Sequence, residues 1–272
     1  MFGPIIYVAF LSLLLNVLGW VASVALETDK LFDATGAASF LAALVLARAT
    51  APAAALTLRA ALASAALALW AARLGAFLVA RVAREPDRRL RRYVRDPAAF
   101  LGAFAAQSVW VFFGALPVVG LLSFGGAAPP LGASDAAALG AWAAAAGLAA
   151  LADEQKRAFR ADARNRGRFI AAGLWSWSRH PNYFFQIVAS WALAVFCAPA
   201  LLAGGGAAAA VAVAAPAVET LLLLYVSGVP LLEANANEKW GDDVKYRQYR
   251  ENTPVLIPWP PRAGPGGGKR RS

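Results

Sequence analysis

The single histidine of the chain, His180, stands in the run Ser178-Arg179-His180-Pro181-Asn182-Tyr183, where a basic, polar stretch gives way to a long apolar one. A neutral imidazole donates from one ring nitrogen and accepts at the other, and its charge changes near physiological pH. Ionisable groups held at the mouth of an apolar segment are costly to keep there, which marks this run as the centre of a candidate site. Other polar groups can join it. Asp153, Lys156, Arg157 and Arg160 recur at i, i+3, i+4 and i+7, so a helix would bring them to one face. A carboxylate beside several cations suits the ribose hydroxyls and phosphates of a nucleotide. The same pattern also suits a juxtamembrane helix with internal ion pairs.

Asn182, Tyr183 and Gln186 follow the histidine into the apolar run, with Gln186 one turn after Asn182. Amides on an otherwise apolar helix need partners, from a ligand or from neighbouring helices. Later in the chain, Glu219 interrupts an apolar run that ends in SGVPLLEANANE (Ser227 to Glu238), and Tyr246 and Tyr249 lie beyond it. Carboxylates, amides and tyrosines therefore return after the last apolar run, as a composite site requires. The competing reading is an amphipathic tail with its aromatic residues at the membrane interface. GxGxxG, GxxxxGK[ST] and HExxH are all absent, and one histidine cannot build a His-rich metal centre, so no metal is expected. Cys197 is the sole cysteine, which excludes an intrachain disulfide.

The elements that must position these residues are membrane helices. Hydrophobic residues make up 60% of the sequence and mean hydropathy is +0.54, well beyond the roughly 45–50% apolar content of soluble domains. Three long stretches, Gly3 to Leu26, Pro97 to Ser134 and Pro181 to Val218, carry no charge, whereas a spanning helix needs about 20 such residues. The first is read as an uncleaved span. Seven spans are predicted, about Gly3 to Leu26, Asp33 to Leu56, Arg59 to Val79, Phe100 to Leu122, Ser134 to Ala152, Tyr183 to Leu202 and Ala207 to Leu232. Gly125 to Pro130 predicts a loop and Gly204-Gly205-Gly206 a turn. The fold class is thus all-α: a single polytopic domain over residues 1–260 with about seven transmembrane helices, followed by a basic disordered tail at 261–272.

Of the 26 basic residues, 22 fall in three clusters, at Arg81 to Arg95, Lys156 to Arg179 and Lys239 to Arg271. Two spans separate each cluster from the next, so all three share one face. The positive-inside rule makes that face cytosolic, with the N-terminus outside and the C-terminus inside. The net charge of +10 is explained by topology and anionic lipid headgroups rather than by nucleic acid, since no helix-turn-helix, zinc-finger or RNA-binding signature is present. An endoplasmic-reticulum or plasma membrane is the expected location.

The segments WAARLGAFLVARV (Trp70 to Val82), ADEQKRAFR (Ala152 to Arg160), GLWSWSRHPNYF (Gly173 to Phe184), SGVPLLE (Ser227 to Glu233) and KYRQYRENTPVLIPW (Lys245 to Trp259), in this order, resemble the steroid 5-alpha-reductase C-terminal-like membrane family. That resemblance implies a seven-helix membrane fold, NADPH as cofactor in a cytosol-facing cavity, and reduction of a carbon-carbon double bond in a lipid substrate, sterol- or isoprenoid-like. It implies that Asp153, Arg160, Asn182, Tyr183 and Tyr249 bind the cofactor, and that Arg73 matches the family's third-helix arginine. With the polar groups above, the expected cofactor-binding set is Asp153, Lys156, Arg160, Arg179, His180, Asn182, Gln186, Glu238, Tyr246 and Tyr249. The expected proton donors are Tyr183, Asp33 and Glu219, because the family's catalytic tyrosine is matched here by Trp70, whose indole is no acid. The same RHPNY run and tail carboxylates also resemble isoprenylcysteine and phospholipid methyltransferases, which keeps an S-adenosylmethionine-dependent methyltransferase as an alternative. A non-enzymatic lipid-binding protein is the third reading, suggested by Gln186 where the family has a carboxylate.

Overall fold

A computed structural model describes residues 3–84, 93–124 and 129–260. Among them the structure is all helix with no strand, and seven helical segments are long and apolar enough to cross a membrane. The chain is therefore a multi-pass integral membrane protein. The long helices are α1 (Gly3–Ala25), α2 (Leu31–Thr50), α3 (Leu58–Arg84), α4 (Pro97–Phe124), α5 (Ala133–Ala161), α6 (Pro181–Ala203) and α7 (Gly206–Leu221). After α7 come α8 (Val229–Trp240) and α9 (Val244–Asn252). The expected tail at 261–272, much of the first basic cluster and residues 125–128 of the expected loop lie outside the described residues.

Each predicted span is present, and the differences at its ends have local causes. The second stops at Thr50 rather than Leu56 because Pro52 disfavours helical backbone in the residue before it. The fifth runs on to Ala161, so the charged segment after Ala152 is helix. The Gly204-Gly205-Gly206 turn is present, with Gly205 at φ +92°. The seventh span is not one continuous α-helix. It loosens into a π turn at Leu222–Val226, and Pro230 then opens α8 in its first turn, where a missing N–H costs nothing.

The described chain forms two compact units, residues 1–139 with 190–219, and residues 140–189 with 220–272. In the first unit, α1 packs against α2 and α4 with a seam that is the reverse of a soluble helix. Val8, Ser12, Asn16, Gly19 and Ser23 face inward, while Phe10, Leu14, Leu18 and Val21 are exposed. Lipid is as apolar as leucine, so small and polar residues make the close helix contacts. A Cβ on Gly19 would lie 2.5 Å from Thr35. The Gln107 amide donates to Asn16 (3.0 Å) and to the Phe32 carbonyl (2.9 Å), crossing three helices. A buried ion pair joins Arg59 on α3 to Asp135 on α5, and Arg59 also donates to the Phe196 carbonyl of α6 at 2.7 Å.

The second unit is tied together by its loop and by the segment after α9. The Trp175 indole, almost fully buried, donates to the Ala152 carbonyl (2.9 Å), and the Tyr249 hydroxyl donates to the Trp175 carbonyl (2.6 Å). Phe169 packs on Trp240, Tyr246 and Tyr249. Residues 253–259 lie along the loop before α6: the Arg179 N–H donates to Pro254, the Ser178 hydroxyl to Leu256, and the Trp259 N–H to Trp177, at 2.7–2.9 Å.

Candidate functional site

The histidine run sits where α6 begins, inside the second unit. Pro181 starts the helix, the Ser178 hydroxyl accepts from the His180 N–H (3.1 Å), and the strap at 253–259 holds Ser178 and Arg179 from outside. His180 is buried, and its Nε2 lies 2.7 Å from Glu233 Oε1. The other Glu233 oxygen lies 2.8 Å from Nη1 of Arg179. Burial holds the imidazole pKa below its ordinary value, against the opposing pull of Glu233. A carboxylate beside a guanidinium can only accept, so the neutral imidazole carries its proton on Nε2. Nδ1 is left as an acceptor, buried and without a protein partner.

Three more orphaned polar atoms lie within three residues of it in sequence. Asn182 donates from Nδ2 to Asp153 Oδ1 (3.1 Å), which leaves its Oδ1 buried and unpartnered. Nε and Nη1 of Arg179 are buried without a hydrogen bond, Nη1 meeting Glu233 as an ion pair only. Buried polar groups are almost always satisfied, so a cluster of orphans calls for a missing ligand or water. Its acceptors ask for ligand N–H or O–H groups, and its guanidinium asks for an anion or carbonyl.

Of the sequence-derived cofactor-binding set, the structure gathers Asp153, Arg179, His180 and Asn182 around the start of α6. The Tyr183 ring stacks on His180 at 5.8 Å, and Gln186 lies half-buried one turn beyond Asn182. Lys156 extends over the Trp175 ring, 4.2 Å from its centroid, while Arg157 pairs with Glu154 on the exposed side of α5. The expected single face of α5 is therefore split, and Arg160 is exposed. Tyr249 is spent on the Trp175 carbonyl, and the Tyr246 hydroxyl reaches Asn237 at 3.4 Å. Burial raises the pKa of both tyrosines. Glu238 is exposed, and the carboxylate that meets His180 is Glu233, one turn before Asn237 on α8.

Asp33 and Glu219 belong to the other unit, where Asp33 pairs with Arg81 (2.9 Å) and Glu219 accepts from the Ser190 hydroxyl (2.5 Å). Sequence reasoning missed Glu233 and Trp175 as parts of the site. Glu233 alone left a signal, as the last residue of SGVPLLE placed one turn before an amide.

A family model described as a protein of unknown function, DUF1295, matches residues 19–253, most of the sequence. The chain belongs to the DUF1295 family. That family lies within the superfamily that holds the steroid 5-alpha-reductase-like and isoprenylcysteine-methyltransferase-like proteins. Over 92 residues this DUF1295 member is 37% identical to methanethiol S-methyltransferase 1 of Bradyrhizobium diazoefficiens, an alignment that covers 34% of the chain. The chain thus spans about a quarter of that relative's length, 27%. No solved structure matches.

The expectation of an NADPH-dependent double-bond reductase is overturned by this relative, a methyltransferase by name. The alternative reading, methyl transfer, fits it better.

Proposed function

We propose that the chain is a membrane-embedded methyltransferase that uses S-adenosylmethionine to methylate a nucleophile dissolved in, or entering from, the bilayer. The observation that carries this reading is the group of orphaned atoms at the start of α6, taken together with the similarity to a named methyltransferase. S-adenosylmethionine offers donors in its ammonium, ribose and adenine groups, and it has one carboxylate. This fits two buried acceptors beside an arginine.

In this reading His180 Nδ1 and Asn182 Oδ1 accept from the donors, Arg179 takes the carboxylate, and Asp153 and Glu233 act by positioning. Asp153 fixes which atom of Asn182 points to the ligand. Glu233 fixes the tautomer of His180 and the place of Arg179. When bound, the cofactor supplies an electrophilic methyl on a sulfonium, so the acceptor's lone pair forms the new bond as the carbon–sulfur bond breaks. The chain contributes orientation and a dry surrounding.

The test is a ligand comparison on the purified chain in detergent. S-adenosylmethionine and S-adenosylhomocysteine should each raise the melting temperature, and NADPH should not. Glu233→Gln keeps the size of the side chain but removes its charge. It should weaken S-adenosylmethionine binding about tenfold or more, since hydrogen bonds to charged groups contribute about 1.5–3 kcal/mol. Stabilisation by NADPH alone, or by neither nucleotide, would sink the methyltransferase reading.

A further inference from the structure

The strap at residues 253–259 has a second side that the cluster at the start of α6 does not use. Exposure alternates along it. Thr253 is buried, and the Pro254 and Leu256 carbonyls accept from the loop, whereas the side chains of Val255, Ile257 and Trp259 stand outward, 39%, 64% and 67% exposed. Trp177, whose carbonyl accepts from the Trp259 N–H, is itself 48% exposed. Two indoles, an isoleucine and a valine thus line one uncovered apolar edge. Water is a costly neighbour for such an edge, and large apolar groups gathered on a surface mark a place that something covers.

Its level in the molecule identifies the cover. Trp177 stands just before Pro181, the first residue of α6, and α6 is one of the seven candidate spans. A helix of 23 residues is about 34 Å long, slightly more than the roughly 30 Å hydrocarbon core of a bilayer. The start of α6, with the strap laid along residues 177–179, therefore stands at the boundary between lipid tails and headgroups. Tryptophan concentrates at that level, because its ring is apolar while its N–H needs a polar partner. The same loop supplies charge of the matching sign: Arg166 and Arg168 are exposed ahead of Trp177, and lipid headgroups offer phosphates. Tyr246 and Tyr249 take no part in this edge, since both are spent inside the unit.

We propose that the strap is an interfacial anchor: its Val255, Ile257 and Trp259 side chains, with Trp177, lie in the headgroup layer of the membrane that the chain spans, and this contact steadies the loop that carries Arg179 and His180. One segment then grips the start of α6 with its backbone and the lipid surface with its side chains. The inference makes no use of the methyltransferase reading, and its tests involve neither nucleotide.

A fluorescent probe tests the placement. Cys197 is buried, so a thiol-reactive nitrobenzoxadiazole label goes to the cysteine introduced by Ile257→Cys. In the full chain, in vesicles of phosphatidylcholine with phosphatidylglycerol, its emission should be blue-shifted. A spin label near the lipid headgroup should quench it about twofold more than one at the acyl-chain end, since interfacial segments lie only about 5–10 Å into the headgroup boundary. Emission as in water would leave the edge solvated and overturn the proposal. An apolar environment that neither lipid label reaches would mean that protein covers the edge, a second copy or another chain, and would overturn it as well. Stronger quenching from the chain end would do the same.

A second measurement tests the coupling. Ile257→Asp keeps the strap's backbone hydrogen bonds but sets a charge against the lipid. Hydrogen exchange at the Arg179 amide, which donates to Pro254, should then rise about tenfold in vesicles as the strap opens more often. Ile257→Trp keeps the edge apolar and should leave that exchange unchanged. If Ile257→Asp does not fold, Ile257→Ser replaces it in the comparison. Equal exchange in the polar and the apolar variant would sink the idea that lipid contact steadies the loop.

Discussion

Two of the carboxylate–cation clusters among the described residues are built to opposite specifications. In the first unit Arg59 and Asp135 are both buried. Arg59 donates to both Asp135 oxygens and to the Phe196 and Pro129 carbonyls, and Asp135 also accepts from the Gly132 N–H. Only Arg59 Nε is left over. In the second unit, Arg179, His180 and Glu233 leave Nδ1 of the imidazole and two guanidinium nitrogens without hydrogen bonds, and Asn182 adds a fourth orphan. A cluster that satisfies itself is a fastener. A cluster that satisfies itself only in part has capacity for something else, and holding that capacity open costs stability.

The largest expected effect tests the fastener. Asp135→Ala leaves Arg59 buried and uncompensated, and breaking a buried pair in this way costs about 3–5 kcal/mol. The melting temperature in detergent should fall steeply, yet the S-adenosylmethionine affinity of the protein that remains folded should be unchanged. A large loss of affinity with little loss of stability would reverse the roles assigned to the two clusters.

A smaller effect is expected where the loop before α6 meets α5. Gly173 sits at φ +61°, and a Cβ there would lie 2.6 Å from the Gln155 Oε1 that accepts from the Leu174 N–H (2.9 Å). Gly173→Ala should cost about 1–2 kcal/mol in the left-handed conformation alone. Denaturant titration should show that loss together with weaker cofactor binding, because the displaced loop carries Arg179 and His180. Full affinity in Gly173→Ala would mean the orphaned atoms do not depend on the loop's path.

The smallest effect concerns pH. His180 has a folded pKa below its ordinary value, so the unfolded chain binds the proton more readily. Its contribution to stability is present above the ordinary imidazole pKa, near 6.5, and is lost as pH falls through the lowered folded value. Melting temperatures taken from about pH 7.5 down to about pH 5 should therefore decline, and His180→Gln should decline less. Equal slopes would mean that the imidazole is not held neutral, and Nδ1 would lose its standing as an acceptor.

The parts of this comparison were unequally legible in the sequence. All seven spans follow from runs of apolar residues, because hydropathy needs no knowledge of partners. His180, Asn182 and Asp153 were also legible, as polar residues at the edges of such runs. Glu233 was overshadowed by Glu238, five residues on, because composition alone cannot say which carboxylate of α8 faces inward; the break at Ser227-Gly228 and the pitch of the new helix decide that. The even face expected of α5 failed for a related reason. Helical spacing sets which residues are neighbours, but Trp175 and Glu154 decide where Lys156 and Arg157 reach. The contacts of Phe40 with Trp70 and Trp110, edge-on at 5.0 and 4.9 Å between centroids, left no signal at all, since the three residues are far apart in sequence and meet only through packing.

The strap at residues 253–259 has a consequence for biosynthesis. Arg179, Ser178 and Trp177 find their backbone or hydroxyl partners in Pro254, Leu256 and Trp259. All seven candidate spans among the described residues precede this strap in the chain, so a ribosome has polymerised each of them before it makes the strap. The segment that clasps the start of α6 is thus made after everything it clasps. A chain ending just short of Pro254 would contain all seven of these spans, with Ser178 and Arg179 still unclasped.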